Sequence, residues 1–424
     1  MKSRRVKGSA RGSSATEGQG TSSSASVHGD AATQANGESL LEKAREMRES
    51  VMRITETYSS LSEQIQKLLL LMPNNTHPDA PTGSESSAFT ESSPGSSKNG
   101  IARIKDHVSL SSSLEPSDAL EIAAGRLAAG PNFPYLIGQL AMLEQALLRM
   151  SVAYAIERGF HLVSAPIVVK TDIAERCGFN PRGGEGGQTY FVSSSSASSE
   201  NDKELCLVGT AEISLAALVA GRTFSRTQLP LKLLAVSPAF RAEDGGRGSQ
   251  TKGLYRLHQF QKAEMYVVCE ANEGLESSSG CRTKGESESM LDSLLSIQQE
   301  VLQSLGLTYR CLDMPTEELG ASAFRKFDIE AWMPGRGTWG EVSSASDCLD
   351  YQSARLHILQ DAGEEKGKSR KAQPATTLNA TLCATPRLII SLLEQYGVDE
   401  QARKMRLPDS LKPHWIGDSS QVQW

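Results

Sequence analysis

The sequence predicts an α+β protein, with one long amphipathic helix ahead of a compact region of antiparallel strands and helices. Three observations carry that prediction. Leu40, Ala44, Met47, Val51, Ile54, Tyr58, Leu61, Ile65, Leu68 and Met72 recur at alternating steps of four and three, the a/d heptad pattern of a helix with one apolar seam. From 160 to 270, short apolar runs alternate with Gly/Pro turns, the punctuation of antiparallel strands. Helical stretches fall in groups among the strands rather than one after each strand, which selects α+β over a parallel α/β sheet.

The elements follow in chain order. The heptad run reads as one helix over 38–72, roughly 50 Å long at about 1.5 Å per residue. Glu49 and Arg53 form an i,i+4 pair in the favourable order, and "PNNTHPDAPTG" (73–83) ends the helix with prolines and turn residues. Residues 84–100 read as a Ser/Gly/Pro linker. "LEPSDALEIAAGRLAA" and "YLIGQLAMLEQALLRMSVAYAIERG" read as helices, the second closed by Gly159. "LDSLLSIQQEVLQSLG" (291–306) is a further helix, and "PRLIISLLEQYG" (386–397) is the last, with Pro386 in its first turn and Gly397 at its end. "TYRCLDM", "KFDIEAWM", "TWGEVSSAS", "ARLHIL" and "ATTLNAT" read as strands. Ser- or charge-rich stretches at 193–202, 271–289 and 361–373 read as surface loop insertions.

Composition narrows the function classes. The 424 residues are 38 % hydrophobic and 22 % charged, with a formal net charge of −6. That mild acidity does not advertise a nucleic-acid binder, although a local basic surface is compatible with it. Apolar runs such as "LLLLM" (68–72) are far too short to span a bilayer, so no membrane association is expected. Seven scattered cysteines without a CxxC pair argue for reduced thiols rather than disulfides or structural zinc. The first twenty residues hold five Lys/Arg before the first acid and many Ser and Gly. That composition suits a disordered tail or an organelle transit peptide.

Four blocks carry the chemistry: "LVGTAEISLAAL" (207–218), "FRAEDGGRGSQTKGLYRLHQFQKAEM" (240–265), "FDIEAWMPGRGTWGEVSSASDCLDYQSARL" (327–356) and "TTLNATLCATPRLIISLLEQYG" (376–397). Read as a strand, 251–265 places Leu254, Arg256, His258, Phe260, Lys262 and Glu264 on one face. Both charge signs then gather around an aromatic ring, which an ordinary half-buried strand does not show.

In this order the blocks resemble the class II aminoacyl-tRNA synthetases, in their seryl-tRNA synthetase form. They are similar to that family's Thr-x-Glu serine-binding segment, motif 2, the approach to motif 3, and motif 3. Pro166 of "HLVSAPIVV" stands where motif 1 has its dimer-interface proline. The resemblance covers about 101–415 and implies a class II antiparallel sheet flanked by helices, acting as a homodimer with ATP and Mg2+ on L-serine and serine tRNA. The selenocysteine tRNA stays open as a further acceptor. In-line attack of a carboxylate on the α-phosphorus needs positive charge and placement more than a general base, and arginine's planar fork suits phosphate oxygens.

The resemblance implies Arg241 on the α-phosphate, Glu341 and Arg387 as its catalytic companions, and Arg387 near the γ-phosphate. Arg241, Ala242, Glu243, Leu257, Phe260, Glu341, Val342, Ser343, Ser344 and Arg387 are the implied ATP contacts, with Phe260 stacked on adenine. Stacking of that kind is worth roughly 1–3 kcal/mol. Glu341 and Ser344 are the implied magnesium ligands, an oxygen set that suits this cation. Thr210, Ala211, Glu212, Glu264, Asn379 and Thr381 are the implied serine contacts. A site built to bond a hydroxyl rejects analogues lacking it by about 10⁴–10⁵. Arg247 and Lys252 lie in the implied motif 2 loop, and His258 reads as a structural histidine. "LNAT" departs from the "LNGS" form of bacterial members.

The implied organisation is a tail (1–37), a long helix that is a remnant of a coiled-coil tRNA-binding arm (38–83), a linker (84–100) and a catalytic domain (101–424). The family's arm has two antiparallel helices, and only the second is legible here, which predicts weakened tRNA affinity. The alternative function is a non-catalytic, synthetase-like regulatory or tRNA-binding paralogue. The basic start and the style of motif 2 point to the mitochondrial matrix, with the cytoplasm as the alternative.

Overall fold

A computed structural model describes residues 30–92, 105–179, 188–192, 205–243, 252–271, 285–361, 364–365, 368–369 and 371–424. Arg247, the tail up to residue 29, the end of the expected linker and most of the three expected loop insertions lie outside the described residues. The chain divides into two units, Met1–Leu69 and Leu70–Trp424. Helix α1 spans Asp30–Leu71, so it begins eight residues before the expected start at 38. Its seam is exposed along its length, from Leu40 at 66 % to Leu68 at 65 %.

The second unit is built on an eight-stranded sheet. In chain order its strands are β1 (Phe89–Ser92), β2 (His161–Val163), β3 (Leu231–Phe240), β4 (Gln259–Cys269), β5 (Tyr309–Asp313), β6 (Arg325–Met333), β7 (Thr338–Asp347) and β8 (Thr376–Ala384). They lie in the order β1-β5-β6-β7-β8-β4-β3-β2. All pairs are antiparallel except the edge pair β2–β3, which is parallel. The remaining helices are α2 (His107–Ser111), α3 (Ala123–Ala129), α4 (Gln139–Glu157), α5 (Thr171–Arg176), α6 (Glu212–Val219), α7 (Glu286–Ser304), α8 (Tyr351–Leu356) and α9 (Thr385–Tyr396).

Helix periodicity explains the covering of one sheet face. Leu140, Leu143, Leu147 and Met150 of α4 are buried as one stripe, as are Leu291, Leu294, Leu295, Val301 and Leu302 of α7. They pack with Leu388, Ile389, Leu392 and Leu393 of α9 over Ala263, Met265, Val267 and Cys269 of β4. The even-numbered residues of β4 face the other way. Tyr266 and Val268 join a second core with Ile213, Leu215 and Ala216 of α6. Nearer the strand's start, that same face carries Phe260, Lys262 and Glu264. One strand face is therefore a polar floor in its first half and a packed core in its second.

The structure corrects four expectations. Residues 254–258 are turn and bend, and β4 begins at Gln259, so the mixed strand face starts at Phe260 rather than Leu254. "LEPSDALEIAAGRLAA" is helical only over Ala123–Ala129, after a two-residue strand at Leu120–Glu121. "ARLHIL" is not a strand: Tyr351–Leu356 is helical, and His357, with φ +55°, turns the chain into a short strand at Leu359–Gln360. The compact unit also starts well before Ile101. Asn74 N and His77 N donate to Ala321 O and Phe324 O at 2.8 and 2.9 Å, and Phe89–Ser92 is a sheet edge strand. An edge strand pairs through its backbone alone, so Ser- and Thr-rich sequence can supply one without apolar alternation.

Candidate active site

Strands β7 and β8 pair only over Ala345–Asp347 and Leu378–Ala380. The next residues, Ser344 and Thr381, are not paired with each other. Their carbonyls instead both accept from Gln298 Nε2 of α7, each at 2.8 Å. A buried glutamine thus replaces the ladder where the sheet opens, and the candidate site lies in that opening.

Two β-bulges aim side chains into it. Between β6 and β7 the register slips so that Ile329 opposes Ser343 and Glu330 opposes Glu341. Residues three apart on a regular strand face opposite ways, but one extra residue reverses the parity. Glu341 and Ser344 therefore line the same pocket. Between β4 and β8 the slip lies between Ala263 and Glu264, and it sets Glu264 opposite Thr381.

One part of the site is lined by Arg241, Glu243, Leu257, Phe260, Val342, Ser343 and Arg387. Arg241 follows β3 and its guanidinium lies 5.4 Å from the Phe260 ring centroid. Its backbone is held by His258: Arg241 N donates to His258 O at 2.9 Å, and His258 Nδ1 lies 2.9 Å from Arg241 O. His258 in turn stacks on Phe133 with centroids 5.0 Å apart. Arg387, at the start of α9, donates to Glu341 Oε2 at 3.1 Å and to Glu341 O at 2.8 Å. The Glu341 side chain is 43 % exposed because it borders the open pocket. Burial pushes its carboxyl up, but Arg387, Lys326 and Arg241 outweigh it, and the net shift is downward. Burial draws Arg241 below the usual arginine value. Glu341 opposes that shift and Arg387 adds to it.

The second part is lined by Thr210, Glu212, Glu264 and Asn379. Glu212, 5 % exposed at the start of α6, accepts from Gln352 Nε2 at 2.5 Å and Asn379 Nδ2 at 2.9 Å. Burial, then the charge of Glu264, push its carboxyl up to about 7, against Gln352 and Lys262. Lys262 Nζ lies 2.6 Å from Glu264 Oε2 and donates to Thr210 Oγ1 at 3.0 Å. Thr381 Oγ1 donates to Glu264 Oε2 at 3.4 Å.

Arg241, Lys262, Glu341, Ser344 and Thr381 border both parts, so the site is one continuous cleft with Arg241 at its junction. It can hold an anionic group between Arg241 and Arg387, and an amine against Glu212 and Glu264. Of the residues expected from sequence, Ala211 and Ala242 do not line it. Ala211 is 1 % exposed ahead of α6, and Ala242 N donates to Gln188 O at 3.0 Å. The other expected residues converge. Lys252 instead pairs with Asp106, away from the cleft.

Sequence reasoning passed over Lys262, Tyr255, Lys326 and Gln352. The parity of "HQFQKAE" already put Lys262 between Phe260 and Glu264, so its signal was available. Tyr255 lies under Arg336, 3.4 Å from ring centroid to guanidinium, with Arg387 at 5.0 Å. Gln352 reaches Glu212 from 140 positions away, and nothing local marks it.

Residues 190–396 match the tRNA synthetase class II core domain (G, H, P, S and T). The chain is 35 % identical over 378 residues to the mitochondrial serine–tRNA ligase of Schizosaccharomyces pombe, spanning 88 % of this chain and 73 % of that protein. It is 38 % identical to the mitochondrial serine–tRNA ligase of Bos taurus, spanning 89 % and 67 %. Among solved structures it is similar to seryl-tRNA synthetase from Pyrococcus horikoshii complexed with ATP, at 30 % identity and a TM-score of 0.73, covering 88 % of this chain and 81 % of that one. A sheet that opens over two arginines and two buried glutamates, together with identity sustained along most of both chains, makes this protein a member of the serine–tRNA ligase family.

Proposed function

We propose that this chain activates L-serine with ATP to form seryl-adenylate and then transfers the seryl group to serine tRNA. The observation that carries the reading is the junction: Arg241 borders both halves of the cleft, one rich in arginine and aromatic surface, the other in buried carboxylates. ATP is assigned to the first half. Phe260 offers a ring face to adenine, Glu243, beside it in the cleft, accepts hydrogen bonds from the base, and Arg387 takes the outer phosphates. Serine is assigned to the second half, its ammonium against Glu212 and Glu264 and its hydroxyl against Thr381 or Asn379.

In the first step a serine carboxylate oxygen attacks the α-phosphorus, and the bond to the β-phosphate oxygen breaks as pyrophosphate leaves. Arg241 meets the charge that builds on the α-phosphate, and no side chain has to remove a proton, because the attacking carboxylate is already ionised. In the second step a ribose hydroxyl at the tRNA 3′ end attacks the seryl carbonyl, and AMP departs. The Glu341 carboxylate and Ser344 hydroxyl form an oxygen donor pair that fits Mg2+. When bound, the cation neutralises phosphate charge. Helix α1, with its exposed seam, is the element assigned to tRNA contact.

The same reading makes the chain a homodimer in the mitochondrial matrix. The matrix assignment is supported by the basic, Ser-rich start and the mitochondrial relatives. Serine-dependent exchange of pyrophosphate into ATP tests the function, and its absence from the purified protein would refute it. Light scattering tests the dimer, and N-terminal sequencing of the mature protein from purified mitochondria tests the compartment.

A further inference from the structure

Glu394 is fully buried in α9, two turns beyond Arg387, and takes no part in the cleft. Its carboxylate collects three donors. His107 N and His107 Nδ1 both reach Oε1 at 3.0 Å, and Gly335 N reaches Oε2 at 2.9 Å. His107, 1 % exposed, uses its other ring nitrogen as well: Leu254 N donates to Nε2 at 3.1 Å. That donor fixes the tautomer. Nε2 must be the bare nitrogen, so Nδ1 carries the hydrogen and donates to Glu394.

Three pieces of chain meet at this pair, and the far end of each reaches the ATP side of the cleft. Leu254 begins the stretch that supplies Tyr255, Arg256 and Leu257. Gly335 sits in the turn between β6 and β7, six residues before Glu341. Glu394 belongs to the helix that presents Arg387. The backbone is closed tightly around the pair. A Cβ on Gly253, whose φ is +66°, would lie 2.1 Å from His107 Nε2, and one on Gly335 would lie 2.9 Å from Glu394 Cδ. Lys252 adds an ion pair to Asp106, the residue that caps α2.

We infer that His107 and Glu394 are positioning residues for ATP, holding the Leu254–Leu257 stretch, the β6–β7 turn and α9 in one fixed arrangement. This rests on the assignment of ATP to that half of the cleft. Two substitutions at His107 separate positioning from plain stability. His107→Asn keeps a donor for Glu394 but withdraws the acceptor from Leu254. His107→Gln can keep an acceptor for Leu254 but withdraws the short donor from Glu394. ATP KM and serine KM are measured in pyrophosphate exchange, ATP affinity by calorimetry, and Tm in parallel.

His107→Asn should raise ATP KM on the order of tenfold, because an ångström-scale displacement far from the chemistry can cost up to about 10²-fold. Its serine KM should stay within about twofold. His107→Gln should show the smaller ATP effect and the larger fall in Tm. An unchanged ATP KM in His107→Asn, an equal rise in serine KM, or ATP KM simply following Tm across the variants would each overturn the inference. If the unaltered protein binds ATP with the expected order of variants but gives no serine-dependent exchange, the positioning role stands and the serine reading falls.

Discussion

Glu264→Gln tests the serine half of the cleft. The substitution keeps the size of the side chain and removes its charge. Glu264 is 1 % exposed and borders the half of the cleft proposed for serine but not the half proposed for ATP. A hydrogen bond to a charged group is worth about 1.5–3 kcal/mol net, and about 1.4 kcal/mol is a factor of ten. Serine KM should therefore rise by about ten- to a hundredfold, with ATP KM unchanged. The variant also strips Lys262 of its anion, and removing one member of a buried pair can cost about 3–5 kcal/mol. Thr210 and the new amide oxygen remain as acceptors, so the loss should fall below that range, and Tm measures it. The double variant Glu264→Gln/Lys262→Met removes both buried charges and should recover Tm without recovering serine KM. The assay is pyrophosphate exchange with serine and ATP varied in turn. Equal losses for both substrates, or a serine KM restored by the double variant, would refute the reasoning.

Two further predictions follow from Glu212, whose carboxyl is raised to about 7 by burial and by Glu264. Below that pH the free protein holds it protonated, whereas a serine ammonium favours the carboxylate; serine KM should rise as pH falls through about 7, and binding at pH 6.5 should release a proton. Calorimetry in two buffers of different ionisation enthalpy reads that proton, and identical heats would count against the ammonium site. For stability the sign is opposite to that of a salt-bridged acid. A carboxyl raised from 4.5 to about 7 costs nothing below 4.5, loses stability as pH climbs to about 7, and stays level above. Glu212→Gln should then raise stability at pH 8 by up to about 3 kcal/mol, with the gain gone near pH 4.5, while serine exchange falls; a gain independent of pH would show the cause to be elsewhere.

How far the fold could be read from sequence depended on where each element's stability resides. Helices α4, α7 and α9 bury apolar stripes that repeat at helical spacing, so composition and period agreed and their ends fell within a few residues of expectation. Strands β5 to β8 likewise carry their own alternation. The failures were elements whose reasons are not local. Phe89–Ser92 is held by backbone bonds to β5, and His77 by Glu288 at 3.0 Å, partners more than two hundred residues away. Neither leaves a mark in a Ser/Pro-rich stretch. "ARLHIL" alternates well enough for a strand, but Gln352, Ser353 and Leu356 are buried on one side of a short helix, and tertiary packing overrode the period.

The site shows the same division at finer scale. Phe260, Lys262 and Glu264 could be grouped from parity alone because β4 is regular from Gln259 through Ala263. Glu341 and Ser344 could not. Three residues apart, they belong on opposite faces of any regular strand, and only the bulge opposite Ile329 and Glu330 turns both inward. A bulge has no side-chain signature at a Val or Ser position, so strand alternation would have argued against pairing these two oxygens. The departure from regularity is therefore where the chemistry is concentrated. The sheet loses its ladder between Ser344 and Thr381, Gln298 takes up the freed carbonyls, and the space so opened lies where the halves of the cleft proposed for ATP and for serine meet. Gln298→Leu would take this donor from the Ser344 carbonyl and leave the Thr381 carbonyl to Ser343 Oγ, and it should slow adenylate formation while leaving the outer contacts of both substrates in place. A kcat unchanged from the unaltered protein would show that the opening is held by the strands themselves.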